Sequence, residues 1–410
     1  MNANARLAVC LLSGVFFGCT SGAGPAAGDE RGACYPNATC NQGLSCFSNL
    51  CVRYDENDAG VISGVDALTA PEATGGEAAA GTEVLPSVCG NGVVEGAEIC
   101  DDGSPSPTCG TTCQLRPKVV TGVGHSCALG PTGMVRCWGD NSLGQLLVPS
   151  LRFKQVSAGA WHTCGITLAG GLACWGTKGT AKATPPGGLF RQVSAGAYHT
   201  CGIRDSGTIS CWGFGATSSP CDPDGRTYEC GQAAPPSGPF AVLEAGAFHN
   251  CALDDAGRAT CWGDAAFGQS TPPTGTFAAL SAGTVYTCAL DLKGVMTCWG
   301  DPAALSTLPG AATGPFAAVS VGVLHSCALN TTGAIVCWGD NAFGQIDHPL
   351  LAPNESGISI SSARAHSCAV LDDGNAFRIA CWGAGVTPGT CDLTMAQYQC
   401  GQSQVPVGAL

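Results

Sequence analysis

From about residue 117 onward, short runs of Val, Ile, Leu and Thr alternate with polar positions and are cut by Gly and Ala turns. No long stretch carries the three-to-four spacing of an amphipathic helix, so the pattern predicts all-β structure. The same order of elements then recurs seven times. An apolar run ends in Ser-Ala-Gly, as at Val156-Ser157-Ala158-Gly159; His-x-Cys follows with alternating apolar residues, then a Gly turn, then Cys-Trp-Gly. The copies begin at His125-Ser-Cys127, His162-Thr-Cys164, His199-Thr-Cys201, His249-Asn-Cys251, Tyr286-Thr-Cys288, His325-Ser-Cys327 and His366-Ser-Cys368.

The first cysteine recurs after 37, 37, 50, 37, 39 and 41 residues. One unit thus holds three or four short strands with turns, and radial repetition of such units makes a β-propeller. The sixth copy reads Gly322-Val-Leu-His325-Ser-Cys-Ala-Leu329, Gly333, Trp338-Gly-Asp340-Asn341 and Gly344-Gln345. These residues resemble the regulator of chromosome condensation repeat. The resemblance implies a closed seven-bladed ring over 117–410, with the repeated His as a scaffold residue. The segment Val405-Pro-Val-Gly-Ala-Leu410 matches the Pro-Pro-Gly-Gly-Leu-Phe190 that precedes a new blade, so the last blade should stop where the first begins.

The paired cysteines depart from that family's usual pattern. Placed on adjacent strands of one hairpin, they suit disulfides: Cys127 with Cys137, Cys164 with Cys174, Cys201 with Cys211, Cys251 with Cys261, Cys288 with Cys298, Cys327 with Cys337 and Cys368 with Cys381. Metal ligation is the rival, but one His-x-Cys and one distant Cys per blade do not converge on a point as a zinc site requires. In the seventh copy thirteen residues rather than ten separate the two, and the longer hairpin is expected to shift their register. The seven motif tryptophans read as packing between blades. Six imidazoles in equivalent positions could instead ring the channel as a metal or pH site, although Tyr286 interrupts them.

Recognition is expected from what differs between blades. Blade 3 adds Cys221-Asp-Pro-Asp-Gly-Arg226-Thr-Tyr228-Glu-Cys230-Gly-Gln232, and blade 7 adds Cys391-Asp-Leu-Thr-Met-Ala-Gln-Tyr398-Gln-Cys400-Gly-Gln402. Both read C-D-x6-C-G-Q, so both should leave the same face, each clamped by its own disulfide (Cys221 to Cys230, Cys391 to Cys400). Arg226, Tyr228 and Tyr398 are candidate ligand contacts by residue type, and Trp161, outside the motif, is a fourth. No catalytic residue and no bound metal or other cofactor is expected. Ca²⁺ is an alternative at the acids around Asp222 and Asp224, or around Glu95, Glu98, Asp101 and Asp102, where the bland reading is a polar surface.

The N-terminus sets the compartment. Residues 1–18 read as a signal peptide, with an apolar run too short to span a bilayer. Phe16-Phe17-Gly18-Cys19 resembles a bacterial lipobox, which implies lipidation of Cys19; ordinary cleavage near Ala23 and a buried strand are the alternatives. A tether (19–33), a small cysteine-rich module (34–53), an acidic linker (54–88) and a second cysteine-rich segment (89–116) follow. That segment, with its CGNGVVE and CDDG runs, resembles a repeat of myxobacterial-type surface lipoproteins. Of 28 cysteines, those outside Cys10 and Cys19 fall into even groups, as disulfide pairing in an oxidising compartment requires.

The net charge of −13 and the lack of a basic patch argue against nucleic acid. The reading is therefore an exported monomer, an outer-membrane or cell-surface lipoprotein or else secreted, that meets the membrane only through a lipid anchor and binds a protein or a glycan. A secreted propeller enzyme of polysaccharide lyase or glycosidase type, and a structural surface protein without a specific ligand, are the alternatives.

Overall fold

The structure, a computed structural model, describes residues 44–47, 50–53, 98–100, 109–110, 112–176, 184–216, 229–308, 314–323, 325–385 and 400–410. The chain divides into two compact units, Met1–Thr82 and Glu83–Leu410. In the first, β1 (Leu44–Phe47) and β2 (Leu50–Arg53) pair antiparallel, with Cys46 opposite Cys51.

The second unit contains seven three-stranded antiparallel sheets, each built from consecutive strands. Blade 1 is β3 (Lys118–Thr121), β4 (His125–Leu129) and β5 (Val135–Gly139); blade 2 is β6 (Phe153–Ala158), β7 (His162–Thr167) and β8 (Leu172–Gly176). Blade 3 is β9 (Phe190–Ala195), β10 (His199–Arg204) and β11 (Ile209–Gly213); blade 4 is β12 (Val242–Ala245), β13 (His249–Leu253) and β14 (Ala259–Gly263). Blade 5 is β15 (Ala279–Ala282), β16 (Tyr286–Leu290) and β17 (Met296–Gly300), followed by the one-turn helix α1 (Pro302–Leu305), whose N-cap Asp301 accepts from the Ala303 amide. Blade 6 is β18 (Phe316–Val321), β19 (His325–Asn330) and β20 (Ile335–Gly339); blade 7 is β21 (Ser356–Ser362), β22 (His366–Asp372) and β23 (Phe377–Gly383).

The first strands of successive blades lie against one another all the way round, from β3 through β6, β9, β12, β15, β18 and β21 back to β3. They therefore wall a central channel, and the third strands form the outer rim. The middle strand has sheet on both edges and a neighbouring blade on both faces. That is why every residue from His125 to Leu129 is buried, and why Cys127 and Ala128, small and apolar, sit there with no exposure at all. Between blades the motif tryptophans fill the wedge: Trp175, against Phe153 of its own blade at 5.5 Å, clusters with Leu129 of blade 1; Trp299, against Phe277 at 6.0 Å, clusters with Leu253 of blade 4; and Trp382 joins Leu329 and Ile335 of blade 6.

Each blade carries its hairpin disulfide, with the two Cα atoms 4.0–4.1 Å apart. Such a separation belongs to a non-hydrogen-bonded antiparallel pair, where side chains approach most closely. The register shift expected in blade 7 does not occur. Cys368 faces Cys381 because the longer hairpin adds two cross-strand pairs beyond Val370 (Leu371 with Arg378, Asp372 with Phe377) and turns at 373–376. The extra length is absorbed at the turn end, leaving the paired cysteines in place.

In six blades a glycine three residues before the His or Tyr lies tight against the next blade; blade 7 has Ala363 there. A methyl on Gly196 would overlap the carbonyl oxygen of Gly246 in the next blade and Cε1 of His199. Gly196→Ala is therefore expected to destabilise the protein by about 1–3 kcal/mol, read as a lower denaturant midpoint; an unchanged midpoint would show that the blades can part there without cost.

The ring closes through the C-terminal segment. The Gln402 carbonyl accepts from Trp138 Nε1 (2.9 Å) and Ser126 Oγ (3.0 Å), Arg136 donates to the carbonyls of Val407 and Gly408, and Val405, Ala409 and Leu410 pack with Val119 and Trp138. Ahead of the ring, Cys100 is bonded to Cys109, and Ile99 and Leu115 pack into the core shared by blades 1 and 2.

Candidate ligand-binding face and channel

The hairpin register fixes which loops share a face. Each middle strand starts opposite the end of the third strand, as His125 opposite Gly139, so the loop before the His and the loop after Cys-Trp-Gly emerge together. The Gly turn of each hairpin lies on the other face. The residue just before the His differs in every blade described there: Gly124, Trp161, Tyr198, Phe248, Val285 and Ala365. Three consecutive blades thus present aromatic side chains, all half-buried, and Tyr198 stacks on Phe248 at 5.7 Å and meets Phe214 edge-on at 6.3 Å.

Beneath this face a closed relay joins all seven blades. His125 Nε2 hydrogen-bonds Thr163 Oγ1 (2.9 Å), His162 bonds Thr200 (2.7 Å), His199 bonds Asn250 (2.7 Å) and His249 bonds Thr287 (2.7 Å). Tyr286 bonds Ser326 (2.5 Å), His325 bonds Ser367 (2.8 Å) and His366 bonds Ser126 (2.9 Å), which returns to the start. The partner is always the residue after the next blade's own His or Tyr. Asn250 Oδ1 can only accept, so His199 carries its proton on Nε2; Ser126 spends its proton on Gln402, so His366 does the same. Burial pushes the imidazoles down, His125, His199 and His325 to about 4 and His249 and His366 to about 3. All six are interblade clasps with no exposure, each Nε2 engaged by the next blade rather than open to a metal in the channel.

The Gly-Gln motif is a buckle. Gln145, Gln269 and Gln345 donate to Asp140, Asp264 and Asp340 at 2.7–2.8 Å and accept from the backbone two residues before them. The backbone carbonyls of Gln269 and Gln345 also serve the next blade, accepting from Trp299 Nε1 and Trp382 Nε1. In blades 3 and 7 the Asp is replaced by Phe214-Gly215 and Ala384-Gly385, and a side chain on either glycine would overlap that of Gln232 or Gln402. These two glutamines accept instead from the amides of Cys230 and Cys400 (2.7 Å), and the Gln232 carbonyl accepts from Asn250 Nδ2 and Trp262 Nε1. The flanks of both inserts are thereby fixed on the His-side face.

Of the residues expected to contact a ligand, Trp161 stands on this face. Arg226, Tyr228 and Tyr398 lie outside the described residues, as do Cys19, Cys221, Cys391, Glu95, Asp101, Asp102, Asp222 and Asp224. Cys230 and Cys400 are disulfide-bonded. Among the described residues no group of three or more His, Cys, Asp or Glu side chains could hold a metal ion.

The channel wall was not singled out by the sequence reading. Ser157, Ser194, Ser281, Ser320 and Ser361 each accept a backbone N–H from the first strand of the next blade at 2.8–3.0 Å. Gln155 and Gln192 bracket Val193 and Leu243 in the same way. Two charged residues interrupt this lining. Burial raises the Glu244 carboxyl to about 7 against the pull of Ser194 and Lys118, and burial lowers Lys118 against the pull of Glu244.

A family model described as the regulator of chromosome condensation (RCC1) repeat matches residues 118–145, 190–216, 243–269 and 316–345, in blades 1, 3, 4 and 6. No curated protein matches the chain. Among solved structures, the CRINKLY WD40 ectodomain of the Arabidopsis thaliana receptor kinase ACR4 is 26% identical with a TM-score of 0.51, over 66% of this chain and 98% of that one. The entire ectodomain of the Physcomitrella patens receptor kinase CR4 is 23% identical with a TM-score of 0.53, over 67% and 74%. Human WBSCR16 shares the fold at 16% identity and a TM-score of 0.50, over 63% and 87%. With the repeat model falling on four blades and the same motif built into all seven, the second unit holds a disulfide-stapled propeller whose blades 1, 3, 4 and 6 are regulator of chromosome condensation repeats.

Proposed function

We propose that this protein is an exported, surface-held binding protein whose propeller recognises a protein or a glycan through its His-side face. The observation that carries this reading is convergence. The residues that vary most between blades, Trp161, Tyr198 and Phe248, share that face with the flanks of both disulfide-clamped inserts. A rigid ring holding variable loops at one end is the arrangement in which recognition is separated from scaffold. The likeness to a plant receptor kinase ectodomain supports an extracellular setting, as do the disulfides. Cys19 supplies the lipid anchor, and Trp161, Arg226, Tyr228 and Tyr398 supply contacts.

The test is retention of envelope material from the native host on immobilised propeller, with protease and periodate treatment separating protein from glycan ligands. Trp161→Ala combined with Tyr398→Ala is expected to reduce retention about tenfold or more while the melting temperature stays put. Equal retention by the variant would move recognition to another surface. Cys19→Ser is expected to release the protein from the membrane fraction.

A further inference from the structure

The channel wall breaks its own pattern at two positions. At the site opposite the first cysteine of each blade, serine stands in five blades, Val120 in blade 1 and Glu244 in blade 4. One pleat earlier along the strand, the wall is Gln155, Gln192, Val242, Ala279, Ala318 and Ser359, with Lys118 in blade 1. A carboxylate and an ammonium therefore stand on first strands three blades apart, offset along the channel by about 7 Å. Each feels the other's charge, yet no hydrogen bond or ion pair joins them. Lys118 makes no hydrogen bond or ion pair with any described residue, and Glu244 has a single long hydrogen bond from Ser194 (3.4 Å). Between them, the hydroxyls of Ser157, Ser281 and Ser320 accept from backbone amides and keep their own protons free to donate.

The geometry points to a binding site inside the channel for a small amino acid, its carboxylate held by Lys118 and its ammonium by Glu244. A half-buried charge without a counter-ion in contact with it is costly. A zwitterion returns both missing partners at once, whereas a singly charged ligand leaves one charge uncompensated. The spare serine hydroxyls add donors on the carboxylate side. This site is independent of the outer face, and failure of either reading leaves the other standing.

The experiment is titration calorimetry of the full, oxidised chain with glycine, 4-aminobutyrate and 6-aminohexanoate, three zwitterions of increasing length. Acetate and methylammonium serve as half-ligands. One of the three zwitterions is expected to saturate a single site per chain, with each half-ligand weaker by about tenfold or more. Lys118→Gln and Glu244→Gln should each weaken the best probe by a similar factor, with folding checked by the unliganded melt. The milder Lys118→Arg and Glu244→Asp move each charge without removing it and should shift the preferred probe length. Absence of saturation by all three probes below about 10 mM, or equal binding by the variants, would overturn the assignment.

Discussion

Acidification from pH 7 to pH 4 is expected to unfold the propeller. His125, His199, His249, His325 and His366 are neutral in the fold, with pKa values pushed down to about 3–4, whereas an unfolded imidazole titrates near 6.5. Below that value the unfolded chain binds protons that the folded chain refuses, so stability falls as pH falls. Each histidine contributes a slope of about 1.4 kcal/mol per pH unit between the two pKa values. Five acting together give a slope on the order of 7 kcal/mol per unit near pH 5, comparable with the whole stability of a typical domain.

Glu244 works in the opposite direction. Its carboxyl is raised to about 7, so protonation between pH 7 and 4.5 favours the fold and offsets about one histidine. Denaturant midpoints measured from pH 7 to 4 should drop steeply below pH 6. A flat profile down to pH 4 would mean that the relay takes up protons without breaking. Tyr286 already makes the same interblade bond without a titrating imidazole. His249→Tyr is accordingly expected to remove about one histidine's share of the slope.

Reduction is expected to be equally severe. Each hairpin disulfide closes a loop of about eleven residues, and the chain-entropy model assigns each roughly 2.5–3 kcal/mol as an upper figure. Loss of one pair, as in Cys251→Ala with Cys261→Ala, should lower stability by up to about that amount and leave a folded ring. Loss of all seven exceeds what a chain of this kind holds in reserve, so refolding in excess thiol should fail while refolding under oxidising conditions succeeds. A fully reduced protein melting within a few degrees of the oxidised one would show that packing alone carries the fold.

The repeat, the three-stranded unit, the paired cysteines and the interblade tryptophans could all be read from the sequence, because each recurs at one phase in every copy. The clasps between blades were harder to see. The residue after the His is Ser, Thr or Asn in all seven copies, a visible signal, yet its partner lies 38 to 51 residues back in most blades, beyond any local pattern. The seventh hairpin misled because counting residues between cysteines cannot tell a shifted register from added cross-strand pairs. Lys118 and Glu244 went unremarked for a related reason. Glu244 shows only as a departure from Ser-Ala-Gly, in Glu-Ala-Gly246, and Lys118 stands two residues ahead of another, Val-Thr-Gly122; such departures acquire meaning once the strands are known to meet around a channel.

The closure between blades 7 and 1 has an evolutionary consequence. Every sheet is made of one continuous stretch of chain, and the ring is sealed by the C-terminal segment rather than by a strand lent across the gap. The piece of gene that encodes a blade is therefore the same piece that packs as a blade. A copied repeat arrives complete with its staple, its clasp and any loop it carries, and the matching inserts of blades 3 and 7 have the form such copying would leave behind. Diversification in a lineage built this way can proceed by shuffling whole wedges, with the sockets between them already matched.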